Sequence, residues 1–279
     1  MMNQLEVLET LTEPLAAMNV GEFPVFQHSI PRAELCDGRY RVRFARTHAE
    51  LDAVQKLRFE VFNLELDEGL DVAYQTGRDG DEFDPSCHHL MVVNISDDRV
   101  VGTYRMQTGE MAVANRGFYS AGEYDFSSFP SDVLWDSIEL GRACIAKDHR
   151  NTQVLFLLWK GLAAYLVHNH KRYLFGCCSL TSQDARQGLR VMQLLEADQQ
   201  LHPSLWATAR PEYECVADEA AIDESMEVNI PKLFKTYLRF GARVCSPPAL
   251  DRAFKTIDFL VLFDVYEMDA SARRLFFGT

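Results

Sequence analysis

The sequence predicts an α/β or α+β fold, a mixed twisted sheet flanked by helices. Three observations lead there. Segments of period-two alternation interchange with segments of helical period along most of the chain. Two strand-like segments, 89–95 and 100–107, are joined by a turn at Asp97-Asp98 and read as a hairpin. A helix-length stretch ending near Asn169 is apolar nearly all round, which marks it as buried.

The elements follow in order. Residues 1–37 read as an N-terminal extension, in which Leu5, Leu8, Leu11 and Leu15 are spaced as an amphipathic helix before Pro24 and Pro31 break the pattern. Residues 38–279 read as one domain. Tyr40, Val42 and Phe44 alternate with Arg39, Arg41 and Arg43, a half-exposed strand. Thr47 and Glu50 have the spacing of a capping box. The helix they open carries Leu51, Val54, Leu57, Val61 and Phe62 on one face. Residues 67–87, rich in Asp, Glu and Gly, read as a polar loop. After the hairpin and a loop with Gly109, Gly117, Gly122 and Pro130 comes a strand over 137–146. The polar run 147–153 opens the buried helix. A strand over 173–179, a helix over 184–198 and a loop over 212–227 with seven acids follow. Pro231 starts a helix that ends at Gly241. The last strand spans 257–266, with a neighbour near Val244.

Composition narrows the function. The chain has 279 residues, 47% of them hydrophobic, enough to bury a full core. A net charge of −13 disfavours nucleic acid, whose phosphates repel such a surface. Seven cysteines at scattered positions without a CxxC pair argue against a disulfide framework and a zinc ribbon and suit a reducing cytoplasm, and no metal site is expected. Cys177-Cys178 reads as a pair of buried strand residues. Glu6, Glu9 and Glu13 with no basic leader do not make a signal peptide. The most apolar stretch, 154–167, is interrupted by Lys160 and too short to span a bilayer, which leaves only peripheral membrane contact open.

Four polar groupings stand out. Arg58 lies beside the apolar face of its helix, near Phe62. Asp79, Asp81, Glu82 and Asp84 surround Phe83 in a loop, a composition suited to caging an ammonium group and lacking the order of a calcium loop. Arg105 follows Gly102 in an otherwise apolar strand, where an unpaired charge is costly and the glycine suggests a bulge or close approach. Glu139 and Arg142 flank Gly141 in a predicted central strand, where a glycine bulge would swing them together. Taken alone, Arg58 reads as a surface arginine, the acidic loop as a solvated loop, and each grouping as no more than a structural ion pair.

Together, Leu57-Arg58 with Val61-Phe62, the acidic loop ending in Glu82-Phe83-Asp84, Val101-Gly102-Thr103-Tyr104-Arg105 and Glu139-Leu140-Gly141-Arg142 resemble the acyl-homoserine-lactone synthase branch of the GNAT acyltransferase superfamily. Tyr173-Leu174-Phe175-Gly176-Cys177, the segment 233–242 and the segment 251–258 are similar to the ornithine N-acyltransferases often labelled hemolysin-like. The resemblance covers roughly residues 38–266. It implies a GNAT-like fold with a V-shaped sheet, and acyl carrier protein as donor of a (3-hydroxy)fatty acyl group to an amino acid such as ornithine. It implies no bound cofactor. It also implies that Arg58, Phe62, Asp81, Asp84, Arg105, Glu139 and Arg142 are site residues. Glu139, in the predicted central strand, is expected to act as base or water-holder, and the three arginines to form a charge network with Asp81, Asp84 and Glu139.

One departure bears on the donor. The glycines with which the superfamily's acetyltransferases bind coenzyme A pyrophosphate are missing from 148–155. A helix N-terminus there still favours a single phosphate, with Lys147, His149 and Arg150 as candidate contacts. Lys232, Lys235 and Arg239 share a helical face and, with Arg243, Arg252 and Lys255, make a basic patch suited to an acidic carrier protein. A buried helix and the strand at 173–177 are candidates to line an acyl slot. Competing readings are a lactone-forming signal synthase, a non-catalytic membrane-acting protein and an acetyl-CoA acetyltransferase.

Overall fold

A computed structural model describes residues 23–217, 222 and 225–277. The expected helix at Leu5–Leu15 lies outside them, as do Asp218, Glu219, Asp223 and Glu224 of the acidic loop.

The chain enters through β1 (Leu35–Asp37) and β2 (Tyr40–Phe44), then α1 (His48–Phe59). Strands β3 (His88–Asn94), β4 (Arg99–Thr108), β5 (Tyr124–Asp125) and β6 (Ser137–Ile145) precede α2 (Thr152–His168). Next come β7 (Tyr173–Leu180), α3 (Ala185–Ala197), β8 (Thr208–Ala209) and α4 (Lys232–Arg239). Strands β9 (Arg243–Val244), β10 (Ala249–Asp251) and β11 (Thr256–Asp264) and the helix α5 (Ala270–Phe277) close the described chain.

The main sheet runs β1-β2-β3-β4-β6-β7-β11-β10, with β9 also on β11. All its pairings are antiparallel except β6 with β7. That parallel pairing lasts only from Ser137–Glu139 to Tyr173–Phe175; beyond it the strands part. The sheet is therefore mixed and V-shaped, as the resemblance implies. Helix α2 packs on β2, β3 and β4, and α1 on β3, β4 and β6. The α1 start is a capping box: Thr47 accepts from the Glu50 amide at 3.2 Å and Glu50 accepts from the Thr47 amide at 3.1 Å. Asn151 caps α2 by accepting from the Val154 amide at 2.9 Å.

Two bulges bend the central strands. One sits beside Gly102, where β3 and β4 slip register between Val92 and Val93. A Cβ on Gly102 would lie 3.2 Å from a Val154 methyl, so glycine lets α2 come close. The other lies in β6, where register against β4 jumps between Thr103 and Arg105. The residue it forces into left-handed backbone is Arg142, φ 50°, and not Gly141. The glycine-bulge expectation is thus corrected: the packing of the arginine's side chain holds the strained residue in place.

Gly176 sets where the V opens. A Cβ there would lie 2.1 Å from the Leu140 carbonyl oxygen. Gly176→Ala is expected to lower stability by about 2 kcal/mol, since backbone must move to accept it, and urea unfolding measures this.

The short strands β1, β5, β8, β9 and β10 were not foreseen apart from the neighbour near Val244, which pairs with Val261 as expected. Residues 35–37, read as the end of an extension, form the outer strand of the β1–β2 hairpin, and Ile30 before them is buried.

Candidate functional site

Three arginines and three aspartates meet beside the opening of the V. Arg58, from the last turn of α1, is fully buried. It donates to Asp84 Oδ1 at 2.8 Å and to Asp79 Oδ1 at 2.6 Å. Arg105, from β4, donates to both oxygens of Asp81 at 2.6 Å and to Asp84 Oδ1 at 3.0 Å. Arg142, on the β6 bulge, donates to Asp81 Oδ2 at 3.2 Å and lies 3.4 Å from Asp79 Oδ1. Gln55 adds a donor to Asp84 at 2.9 Å. Burial alone would raise the Asp84 carboxyl, but the charges of Arg58 and Arg105 overcome it and hold the group far below the usual carboxylate range.

The network corrects two expectations. The three loop aspartates face three arginines, and Glu82 pairs with Arg116 at 2.8 Å, so the loop acids do not cage an ammonium group. Asp79, a loop acid without an expected site role, takes the place assigned to Glu139. The chain does bring Arg58, Asp81, Asp84, Arg105 and Arg142 together. Phe62, in a widened π-helical turn after α1, packs edge-on against Phe254 with centroids 5.5 Å apart.

Glu139 does something else. Its Oε2 accepts from Gln107 Nε2 at 2.6 Å and the Tyr119 amide at 2.8 Å. Its Oε1 accepts from the Ser120 amide at 2.8 Å and the Ser120 hydroxyl at 2.6 Å. Four donors occupy the acceptor positions of one carboxylate. The turn so pinned carries Tyr119, whose ring lies 4.8 Å from the Arg105 guanidinium and 4.9 Å from that of Arg142. The other side of Arg142 faces Phe254 at 4.3 Å.

A cavity of about 440 Å³ begins at this point, within the range of small-molecule sites. Glu139, Gly141 and Arg142 line its polar end. Trp159, Leu162 and Leu166 of α2, Tyr237 of α4 and Phe276 of α5 line its apolar part. The β7 residues 174–178 line it too, so the helix and strand named as acyl-slot candidates face one cavity.

A second set of acids was missed by sequence reasoning. Glu68, Asp251 and Asp258 line the far wall of the cavity, and Glu123 stands behind Asp258 with Cys177. All four are buried, and none makes an ion pair with a described residue. Asp258 Oδ1 has no hydrogen-bond partner. Burial, then the charges of Asp258 and Asp251, push Glu123 well above the usual carboxylate range. Burial and the Asp251 charge push Asp258 from 3.8 up to about 6. The signal that could have found them is an aspartate inside the aromatic, β-branched run of β11, the same signal that marked Arg105.

This crowding has a sign. A carboxyl raised in the folded state costs nothing below its ordinary value, and the cost grows until pH passes the folded value. Asp258→Asn is therefore expected to be more stable than the parent by about 1–3 kcal/mol at pH 7.5, with the gain vanishing near pH 4. Urea unfolding at the two pH values checks it.

The proposed carrier contacts are dispersed. Lys232, Lys235 and Arg239 are exposed on α4, whose opposite face buries Phe234. Lys147 is exposed as well. His149 is instead turned inward, with Nδ1 2.9 Å from the Tyr40 hydroxyl, because the short turn before α2 packs against β2. Arg150 is held by Glu65 at 2.8 Å and donates to the Ile145 carbonyl at 3.1 Å. Cys144 is buried, and burial pushes its thiol up, which suits a structural residue. No helix among the described residues is long and apolar enough to cross a membrane.

Residues 57–160 match the family described as "Acetyltransferase (GNAT) domain". The chain is 34% identical over 239 residues to the L-ornithine N(alpha)-acyltransferase of Agrobacterium fabrum (strain C58 / ATCC 33970), covering 82% of each chain. It is 31% identical over 245 residues to the protein of the same name from Rhodobacter capsulatus, covering 85% of this chain and 94% of that one. The structure of the AHL synthase LasI is similar at a TM-score of 0.47 and 13% identity, over 87% of this chain and 96% of that one.

Proposed function

Because the chain belongs to the L-ornithine N(alpha)-acyltransferase family, and is an N-acyltransferase with a GNAT domain, we propose that it moves a (3-hydroxy)fatty acyl group from acyl carrier protein to the α-amine of ornithine or a related amino acid. The product is an N-acyl amino acid of the lyso-ornithine-lipid type. The observation that carries this reading is the parting of β6 from β7 directly beside an apolar cavity. A thioester laid in that gap has strand backbone on one side and room for its acyl tail on the other.

The reaction needs few parts. The free amine attacks the thioester carbonyl, a C–N bond forms, the C–S bond breaks, and the carrier leaves as a thiol that takes up the amine's proton. Backbone N–H groups freed at the β6 bulge polarise the carbonyl and stabilise the oxyanion. Arg142, set between Tyr119 and Phe254, faces the acceptor. Glu139, with four hydrogen bonds already accepted, positions the Tyr119–Ser120 turn and is not the base. No acyl-enzyme on the buried Cys144 is required. The exposed face of α4 with Lys232, Lys235 and Arg239 steers the acidic carrier, and Lys147 meets the pantetheine phosphate. The reaction belongs to the cytoplasm, with peripheral contact at the inner face of the membrane receiving the lipid-like product.

Product mass spectrometry tests this. Protein is mixed with 3-hydroxyacyl carrier protein and a pool of amino acids, beside reactions supplied with acyl-CoA. A mass equal to acyl plus ornithine minus water, formed with the carrier protein, is expected. Product from acyl-CoA alone would overturn the donor, and no product from folded protein would overturn the activity.

A further inference from the structure

Three carboxyl groups line one wall of the cavity and a fourth, Glu123, stands behind them, and none of the four has an ion-pair partner among the described residues. Glu123 is 3% and Asp258 5% exposed. Their ligating atoms, with the Cys177 sulfur, lie within 4.8 Å of one another. The Asp251 Oδ1 atom is occupied by the amides of Ala253 and Phe254, at 2.8 and 2.9 Å. Glu68 accepts from the Thr181 hydroxyl. Of the four, Asp258 keeps a buried oxygen, Oδ1, without a partner of good hydrogen-bond geometry, although Ser179, Thr256 and Glu123 lie close enough to favour its charged form, and it lines the cavity. A buried acceptor of this kind is costly unless something completes it.

We propose that Asp258, backed by Glu123 and Glu68, binds the second, side-chain ammonium of a diamino acid and so decides which of its two amines is acylated. This rests on the amino-acid reading above. The chemistry separates the two amines. An ammonium held among carboxylates has its charged form favoured and stays protonated. It has no lone pair and does not attack a thioester. The amine bound at Asp258 is therefore protected, and the amine that reacts is the other one. The location fits. Asp258 stands opposite Ser179 on β7, on the far arm of the V from the Gly141–Arg142 bulge. Phe254, against which Arg142 packs, donates its amide N–H to Asp251 Oδ1. An acceptor reaching across the gap meets a guanidinium at one end and the acids at the other, matching the carboxylate and the side-chain amine of one diamino acid.

The test compares ornithine with norvaline, which has the same chain and no second amine, in the parent and in Asp258→Asn and Glu123→Gln, with fragment masses locating the acyl group. The parent is expected to prefer ornithine at least 100-fold in kcat/KM and to acylate Nα alone. Asp258→Asn is expected to raise the KM for ornithine at least tenfold, leave norvaline unchanged, and give detectable Nδ product. Equal loss for both substrates would show that the acids serve the reacting amine, and would overturn the proposal. Equal use of both substrates by the parent would overturn it too, while leaving acyl transfer standing. Loss of activity on chelation with recovery on adding zinc would give the acids to a metal ion and also sink it. If the parent acylates no amino acid, the activity reading fails first.

Discussion

Arg58→Met is expected to lower the free energy of unfolding by about 3–5 kcal/mol, a large share of the stability of a domain this size. Arg58 is fully buried, and its guanidinium satisfies Asp84 and Asp79 together. Methionine fills much of the same volume, so the loss is electrostatic. Two buried carboxylates lose their nearest cation, and Arg105 and Arg142 are left against three acids. The pH dependence has a definite sign. In the parent, the paired Asp84 carboxyl is held below its ordinary value, so its contribution is present above that value and lost as pH falls through the folded one. In the variant, Asp84 protonates more readily and relieves its own burial. The gap between parent and variant should therefore narrow below about pH 4. Urea unfolding at pH 7.5 and pH 4 measures both effects. A loss under about 1 kcal/mol at pH 7.5 would mean that water reaches the network and that it does not hold the acidic loop in place.

The unequal legibility of the site has a physical cause. Arg105 could be found because a lone charge in an apolar strand must have a partner, and the acidic loop could be found because its charges are dense. The pairing was not legible, since which aspartate meets which arginine depends on how residues 79–84 turn back under α1. Glu139 carries the same sequence signal as Arg105, but its partners are two backbone amides, the Ser120 hydroxyl and Gln107, groups with no charge to mark them. The cavity acids are scattered from Glu68 to Asp258 and converge only when β7 and β11 pair along eight residues. The long strands and helices were readable because their burial imposes a period. The two- and three-residue strands β1, β5, β8, β9 and β10 span too few residues to show one.

Glu139→Gln distinguishes positioning from proton transfer, and it is expected to lower kcat by about 100-fold while leaving the KM for the acyl donor unchanged. Glutamine keeps one acceptor oxygen and replaces the other with an NH2 group. Whichever way the amide turns, that NH2 faces donors: the Ser120 amide and hydroxyl on one side, or the Tyr119 amide and Gln107 on the other. Gln107 can flip its own amide to answer the second arrangement, but the Tyr119 amide cannot. At least one buried N–H is left unsatisfied, at a cost of about 1–3 kcal/mol, and the turn shifts to relieve it. Tyr119 moves with the turn, and its ring is what holds Arg105 and Arg142 in register with the β6 bulge. A displacement of the oxyanion donors and of Arg142 slows the reaction by the same factor at every pH, because the group that takes the reacting proton has not been removed. A base would behave differently. Its removal would abolish the acidic limb of the pH–rate profile and flatten the rate below the base's own ionisation. A parallel, uniformly lowered profile supports the positioning role assigned to Glu139, and a profile that loses its acidic limb would return it to the role of base.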